Sequence, residues 1–131
     1  KQVFNRLEQN QYTLSPSLLL YISKAKNYVF EHYQENVSVN DIAKHLKLSE
    51  GYLQNIFRSA TGMSLISFLN HYRIEIAKEL IIHKSLTLQE TAKQIGIADP
   101  SYMSRLFRKI TGITYSQFFS QYANRIFYKK I

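Results

Sequence analysis

Residues 39–72 and 88–122 are two copies of one plan, and a chain that repeats itself once at a distance of about fifty residues has few folds open to it. Ala43 and Lys44 recur as Ala92 and Lys93. After one extra residue in the second copy, Tyr52, Phe57, Arg58, Thr61, Gly62, Phe68 and Tyr72 recur as Tyr102, Phe107, Arg108, Thr111, Gly112, Phe118 and Tyr122. Two copies are too few for a solenoid, so the repeat reads as a duplicated supersecondary unit. The stretch 64–84, SLISFLNHYRIEIAKELIIHK, closes the first copy and leads to the second without a Gly or Pro. Its Leu65, Phe68, Leu69, Tyr72, Ile76, Leu80 and Ile81 fall three and four apart, which predicts one long helix. Arg73, Lys78 and Lys84 fall off that apolar stripe.

Each copy breaks into the same parts. Ser38 and Thr87, each with an acidic residue three positions on (Asp41, Glu90), predict capped starts for short helices over 39–46 and 88–95. A tight turn follows. Gly96 takes the left-handed backbone such a turn needs, whereas Lys47 stands there in the first copy and should cost about 1 kcal/mol for the same conformation. A second helix opens at Ser49 in one copy, at Asp99 with Pro100 in the other, and closes at Gly62 and Gly112. Its apolar stripe is Leu53, Ile56, Phe57 and Ala60 in the first copy and Met103, Leu106, Phe107 and Ile110 in the second. Phe57, Phe68, Phe107 and Phe118 share the apolar phase and read as core; Tyr52 and Tyr102 read as core-edge or as phosphate-contacting through the hydroxyl, with partial burial favoured.

The opposite faces carry the chemistry. They present Gly51, Gln54, Asn55 and Arg58 in the first copy, and Ser101, Ser104, Arg105 and Arg108 in the second, with Lys109 beside them. Arg forks onto guanine O6 and N7, Gln or Asn pairs with adenine, and small Gly or Ser lets a helix backbone approach closely. A polar-faced helix after a helix and a short turn is a helix-turn-helix, whose second helix enters the major groove. About twenty residues of linker helix span on the order of 30 Å, close to the ~34 Å of one duplex turn.

Charge agrees with this reading. Lys and Arg number 17 against 9 Asp and Glu, for a net +8. Residues 1–50 hold six basic and five acidic groups, and residues 51–131 hold eleven and four, so the excess belongs to the second part of the chain. A chain without cysteine has no disulfide, thiolate zinc site or cysteine nucleophile, and fits a cytoplasmic location. His32, His45, His71 and His83 form no HExxH pattern, and no phosphate loop or nucleophile elbow is present, so neither a catalytic nor a metal site is expected, nor a cofactor. His71 and Glu75 read as a surface pair. No apolar run approaches the ~18 residues of a membrane span.

Upstream, Ser15 and Pro16 start a helix whose stripe of Leu18, Leu19, Ile22, Ala25, Tyr28 or Val29, and Tyr33 runs to about His32, with Asn36 as a stop. Residues 1–14 read as a tail or linker from an N-terminal domain outside this chain, which begins at Lys rather than Met. The divisions expected are a first subdomain over 15–64, a linker helix over 65–84 and a second subdomain over 85–131. In the last of these, Arg125, Lys129 and Lys130 read as further phosphate contacts or as a solvated end, the latter favoured.

The runs IAKHLKLSEGYLQNIFRSATGMS and TAKQIGIADPSYMSRLFRKITGIT resemble the two helix-turn-helix halves of the AraC/XylS family of bacterial transcription regulators. SYMSRLFRKITGIT in particular resembles the second-half signature, with its Tyr, aromatic-basic pair and Gly. The resemblance covers about residues 17–125. It implies an all-α domain of about seven helices, two helix-turn-helix subdomains joined by a long linker helix. As partners it implies double-stranded DNA at two successive major-groove segments, RNA polymerase, and a separate regulatory N-terminal domain. The role implied is transcriptional control, often activation. Two departures stand out: Lys47 replaces the usual turn Gly, and Glu50 opens the first recognition helix. The competing reading is a helical protein-interaction module with an incidental basic surface. RNA binding is disfavoured because no aromatic platform escapes the core phase.

Overall fold

Helix starts among the described residues are marked by hydroxyl or carboxylate side chains, and the computed structural model, which describes residues 15–123, shows six of these accepting from backbone N–H groups. Seven helices and no strand occur among the described residues: α1 (Pro16–His32), α2 (Val39–Leu46), α3 (Glu50–Thr61), α4 (Leu65–Lys84), α5 (Leu88–Gln94), α6 (Pro100–Thr111) and α7 (Tyr115–Tyr122). Ser38 Oγ accepts from the Asp41 N–H at 3.1 Å while the Asp41 carboxylate accepts from the Ser38 N–H at 2.9 Å. Thr87 and Glu90 form the same reciprocal box at 3.2 and 2.9 Å, and Thr114 and Gln117 at 3.1 and 2.9 Å. Ser49 caps α3 through the Tyr52 N–H, Ser64 caps α4 through the Ser67 N–H, and Asp99 caps α6 through the Ser101 N–H. The tail 1–14 and the basic end 124–131 lie outside the described residues.

The chain divides into two compact units. The first holds the described residues to His32 together with Val37–Leu69, and the second holds Tyr33–Asn36 and the chain from Asn70 on. In the first, Leu18, Ile22, Ala25 and Val29 of α1 are buried with Ile42, Ala43 and Leu46 of α2, Leu53, Ile56 and Phe57 of α3, and Leu65 and Leu69 of α4. The second core gathers Ile74, Ala77 and Ile81 of α4 with Ala92, Ile95, Ile97, Met103, Leu106, Phe107, Tyr115 and Phe118. The duplication extends to ring geometry. Phe57 and Phe68 meet edge to face at 5.5 Å in the first unit, and Phe107 and Phe118 do so at 5.5 Å in the second. Thr61 Oγ1 donates to Phe57 O at 2.8 Å, as Thr111 Oγ1 does to Phe107 O.

Both helix-helix turns have the same form. The Leu48 N–H donates to Ala43 O and the Ile97 N–H to Ala92 O, each at 2.9 Å. Lys47 adopts the left-handed conformation (φ 60°) that Gly96 adopts at φ 85°, so the strained lysine expected from the sequence is present.

Two features of α4 differ from the sequence expectation. Arg73, off the stripe and so expected at the surface, is 8% exposed. Its Nε donates to Tyr33 O at 2.8 Å and a terminal N–H donates to Glu35 O at 2.7 Å. Ile74 and Ala77, also off the stripe, are fully buried. As expected, α1 ends at His32, and Tyr33–Asn36 is a non-helical segment belonging to the second unit. Glu75 pairs with Lys78.

Candidate nucleic-acid interface

The packing of each second helix fixes what it exposes. With Leu53, Ile56 and Phe57 turned into the first core, Gly51, Gln54, Asn55 and Arg58 are exposed. With Met103, Leu106 and Phe107 turned into the second, Ser101, Arg105, Arg108 and Lys109 are exposed and Ser104 is half-buried. All nine positions singled out from the sequence therefore lie on α3 or α6 away from the cores, although Ser104 offers less of itself than its counterpart Gln54. Tyr52 is half-buried as expected, while Tyr102 is 41% exposed and joins the polar face of α6.

Among the described residues no carboxylate pairs with Arg58, Arg105, Arg108 or Lys109; on α4, Glu75 pairs with Lys78 and Glu79 lies 3.5 Å from His83. Their charge is left for an external anion. The two faces differ in composition. Asn55 stands where the second copy has Arg105, and α3 begins with the exposed carboxylate Glu50, which suits its own helix dipole but not a phosphate. Gly51 has ordinary negative φ, and an added Cβ there would meet nothing within 4 Å, so the fold itself does not require a glycine.

Sequence reasoning missed a recess beside the start of α6. Arg73, Tyr102, Arg105 and Asp99 border a recess of about 440 Å³ together with Asn36 and Gly96. Burial pushes the Arg73 guanidinium down from its ordinary value, and Tyr102 partly offsets that. A Cβ at Gly96 would fall 2.5 Å from Tyr33 O and 2.8 Å from the Gln34 carbonyl carbon. Gly96 is thus needed twice, for its backbone angle and for the segment lying against it. Only the first need is signalled in the sequence. Among the described residues no group of three His, Cys, Asp or Glu side chains could hold a metal ion, and no helix is long and apolar enough to cross a membrane.

Comparison with known proteins agrees with this geometry. The profile of a family described as a helix-turn-helix domain matches residues 42–121. The Msm operon regulatory protein of Streptococcus mutans is 30% identical over 104 residues, covering 79% of this chain and 37% of that protein. The arabinose operon regulatory protein of Escherichia coli is 29% identical over 117 residues, covering 88% of this chain and 40% of that protein. This chain therefore spans about two fifths of the length of these relatives. Among solved structures, the C-terminal domain of AraT, a response regulator from Geobacillus stearothermophilus, superposes with a TM-score of 0.76 at 28% identity, covering 82% of this chain and 87% of that one. With both helix-turn-helix units, their exposed faces and these relatives in agreement, the chain belongs to the AraC/XylS family of transcription regulators and carries that family's DNA-binding domain.

Proposed function

We propose that α3 and α6 are the recognition helices, each lying in a major groove, and that the two groove segments follow one another along one face of the duplex. The observation that carries this reading is the repeated outward set, the same phase of two sibling helices, with cations that have no carboxylate partner among the described residues. Division of labour follows from composition. Gln54, Asn55 and Arg58 of α3 choose bases, while Arg105, Arg108 and Lys109 of α6 supply more of the electrostatic affinity, and Gly51, Ser101 and Ser104 let the backbone approach. Glu50 accepts from a cytosine amine or else weakens phosphate contact.

The full regulator, on this reading, acts in the cytoplasm, activates transcription with RNA polymerase as a partner, and joins this domain to a regulatory N-terminal one. Support for the last point is the greater length of the relatives, of which this chain matches 37% and 40%. Enzymatic activity has no place in the proposal.

The test is a hydroxyl-radical footprint on a duplex selected from random sequence. Two protected tracts on one face, about 10 base pairs apart, are expected. A single tract, or none at saturating protein, would refute the two-groove reading.

A further inference from the structure

The two units differ in what lies against the turn between their helices. The buried spacing Ile22, Ala25 and Val29 of α1 recurs as Ile74, Ala77 and Ile81 of α4, so Tyr21 holds in the first unit the place that Arg73 holds in the second. Lys47 likewise holds the place of Gly96, since both turns close through equivalent hydrogen bonds. In the second unit a short non-helical segment, Tyr33–Asn36, occupies this position. Arg73 binds its carbonyls, and Gly96 allows its backbone to lie against the turn. In the first unit the same position, between α1 and the α2–α3 turn, is an open recess of about 420 Å³.

We propose that this recess docks a short acidic, non-helical peptide segment of a partner protein. Its walls are Tyr21, Lys24, Tyr28 and Glu31 of α1 with His45 and Lys47. Two lysines face one glutamate, and neither Lys24 nor Lys47 has an ion-pair partner among the described residues. That imbalance selects a carboxylate-bearing occupant. Lys47 has a Cβ where Gly96 has none, so the occupant cannot press its backbone on the turn as Tyr33 does. It is gripped instead by the two ammonium groups, with an aromatic side chain set against Tyr21 and Tyr28, whose rings give the recess its apolar wall. Tyr28 is already fixed for this role by His32, stacked at 4.2 Å, and by His45 at 5.0 Å.

The test is a titration of ¹⁵N-labelled protein with the blocked hexapeptide Glu-Tyr-Gln-Glu-Asn-Glu, patterned on the occupant of the second unit and made more acidic. A peptide with Lys for each Glu is the control. Saturable shifts concentrated at Tyr21, Lys24, Tyr28, His45 and Lys47 are expected with the acidic peptide alone. Lys24→Gln, an exposed substitution, should weaken binding up to about fivefold, and Lys24→Glu combined with Lys47→Asn by tenfold or more. Asn suits the left-handed backbone, so the double variant keeps its fold, which its own spectrum verifies. Absence of saturable shifts into the millimolar range, equal response to the basic peptide, indifference to both variants, or shifts at these residues with duplex DNA but not with the peptide would each overturn the proposal. DNA binding through α3 and α6 is not needed for any of these readouts.

Discussion

The two helix-turn-helix units share caps, turn hydrogen bonds and an edge-to-face phenylalanine pair, yet they differ at the turn residue and at what lies against it. In the second unit the turn is Gly96 with the Tyr33 and Gln34 carbonyl groups close above it, and in the first it is Lys47, exposed. One local geometry is thus reached twice, once at the cost of lysine strain and once with a glycine that two constraints demand. Identical hydrogen bonds do not imply identical tolerance: the neighbours decide.

Exchange of the turn residues probes this most severely. Gly96→Ala combines a left-handed alanine with collision against a backbone carbonyl and should destabilise by about 3 to 4 kcal/mol. Lys47→Gly relieves strain and should stabilise by up to about 0.5 kcal/mol after the entropy of glycine is counted. Chemical denaturation reads both, and similar small effects at the two sites would break the contrast. Next in size is Arg73→Ala, which removes two charge-assisted hydrogen bonds to Tyr33 O and Glu35 O and should cost about 2 to 3 kcal/mol. Lysine, lacking the fork, should restore less than half of that. A full rescue by Arg73→Lys would show that packing, not the paired carbonyls, sets the value.

The proposed recognition faces of α3 and α6 differ as well. Arg105→Ala should weaken specific duplex binding by about 1 to 3 kcal/mol, whereas Asn55→Ala should relax base choice with a smaller loss. Lys109→Ala should lower affinity on every sequence and reduce the salt slope by about one unit. Equal loss of specificity from Asn55 and Lys109 variants would contradict the division of labour.

The smallest effect concerns acid. Hydrogen bonds from the Ser38 backbone and hydroxyl hold the Asp41 carboxyl below its ordinary value, and those from Thr87 do the same for Glu90. A depressed folded value means stability that is present above the unfolded value and lost as pH falls through the folded one. Amide protection at the starts of α2 and α5 should therefore decline together on acidification below the usual carboxylate range. Asp41→Ala should abolish the pH dependence at α2 only; an unchanged profile there would remove the capping box as its cause.

What the sequence made legible is what short-range rules govern. Ser38 with Asp41, Thr87 with Glu90, Pro100 after Asp99, and the closing Gly62 and Gly112 lie within a few residues of the backbone groups they serve, so the helix starts and stops were readable. The exposed sets on α3 and α6 were readable because the apolar stripe of a short helix fixes the opposite face. Arg73 escaped because its partners lie 40 and 38 residues away in the chain. No periodicity records a contact of that kind. Ile74 and Ala77 escaped for a related reason: α4 is divided between the two units after Leu69, and one stripe drawn along its full length cannot describe both burials.

Joint binding of duplex DNA by the outward faces of α3 and α6, as proposed, is best measured by fluorescence anisotropy of a selected duplex, titrated across a series of salt concentrations with wild-type protein, Arg58→Ala, Arg108→Ala and the double variant. Binding whose logarithm falls linearly with the logarithm of salt, and that each variant weakens with the double variant weakest and still folded, is the expected result. Salt-independent binding, or a folded double variant that binds as wild type does, would contradict it.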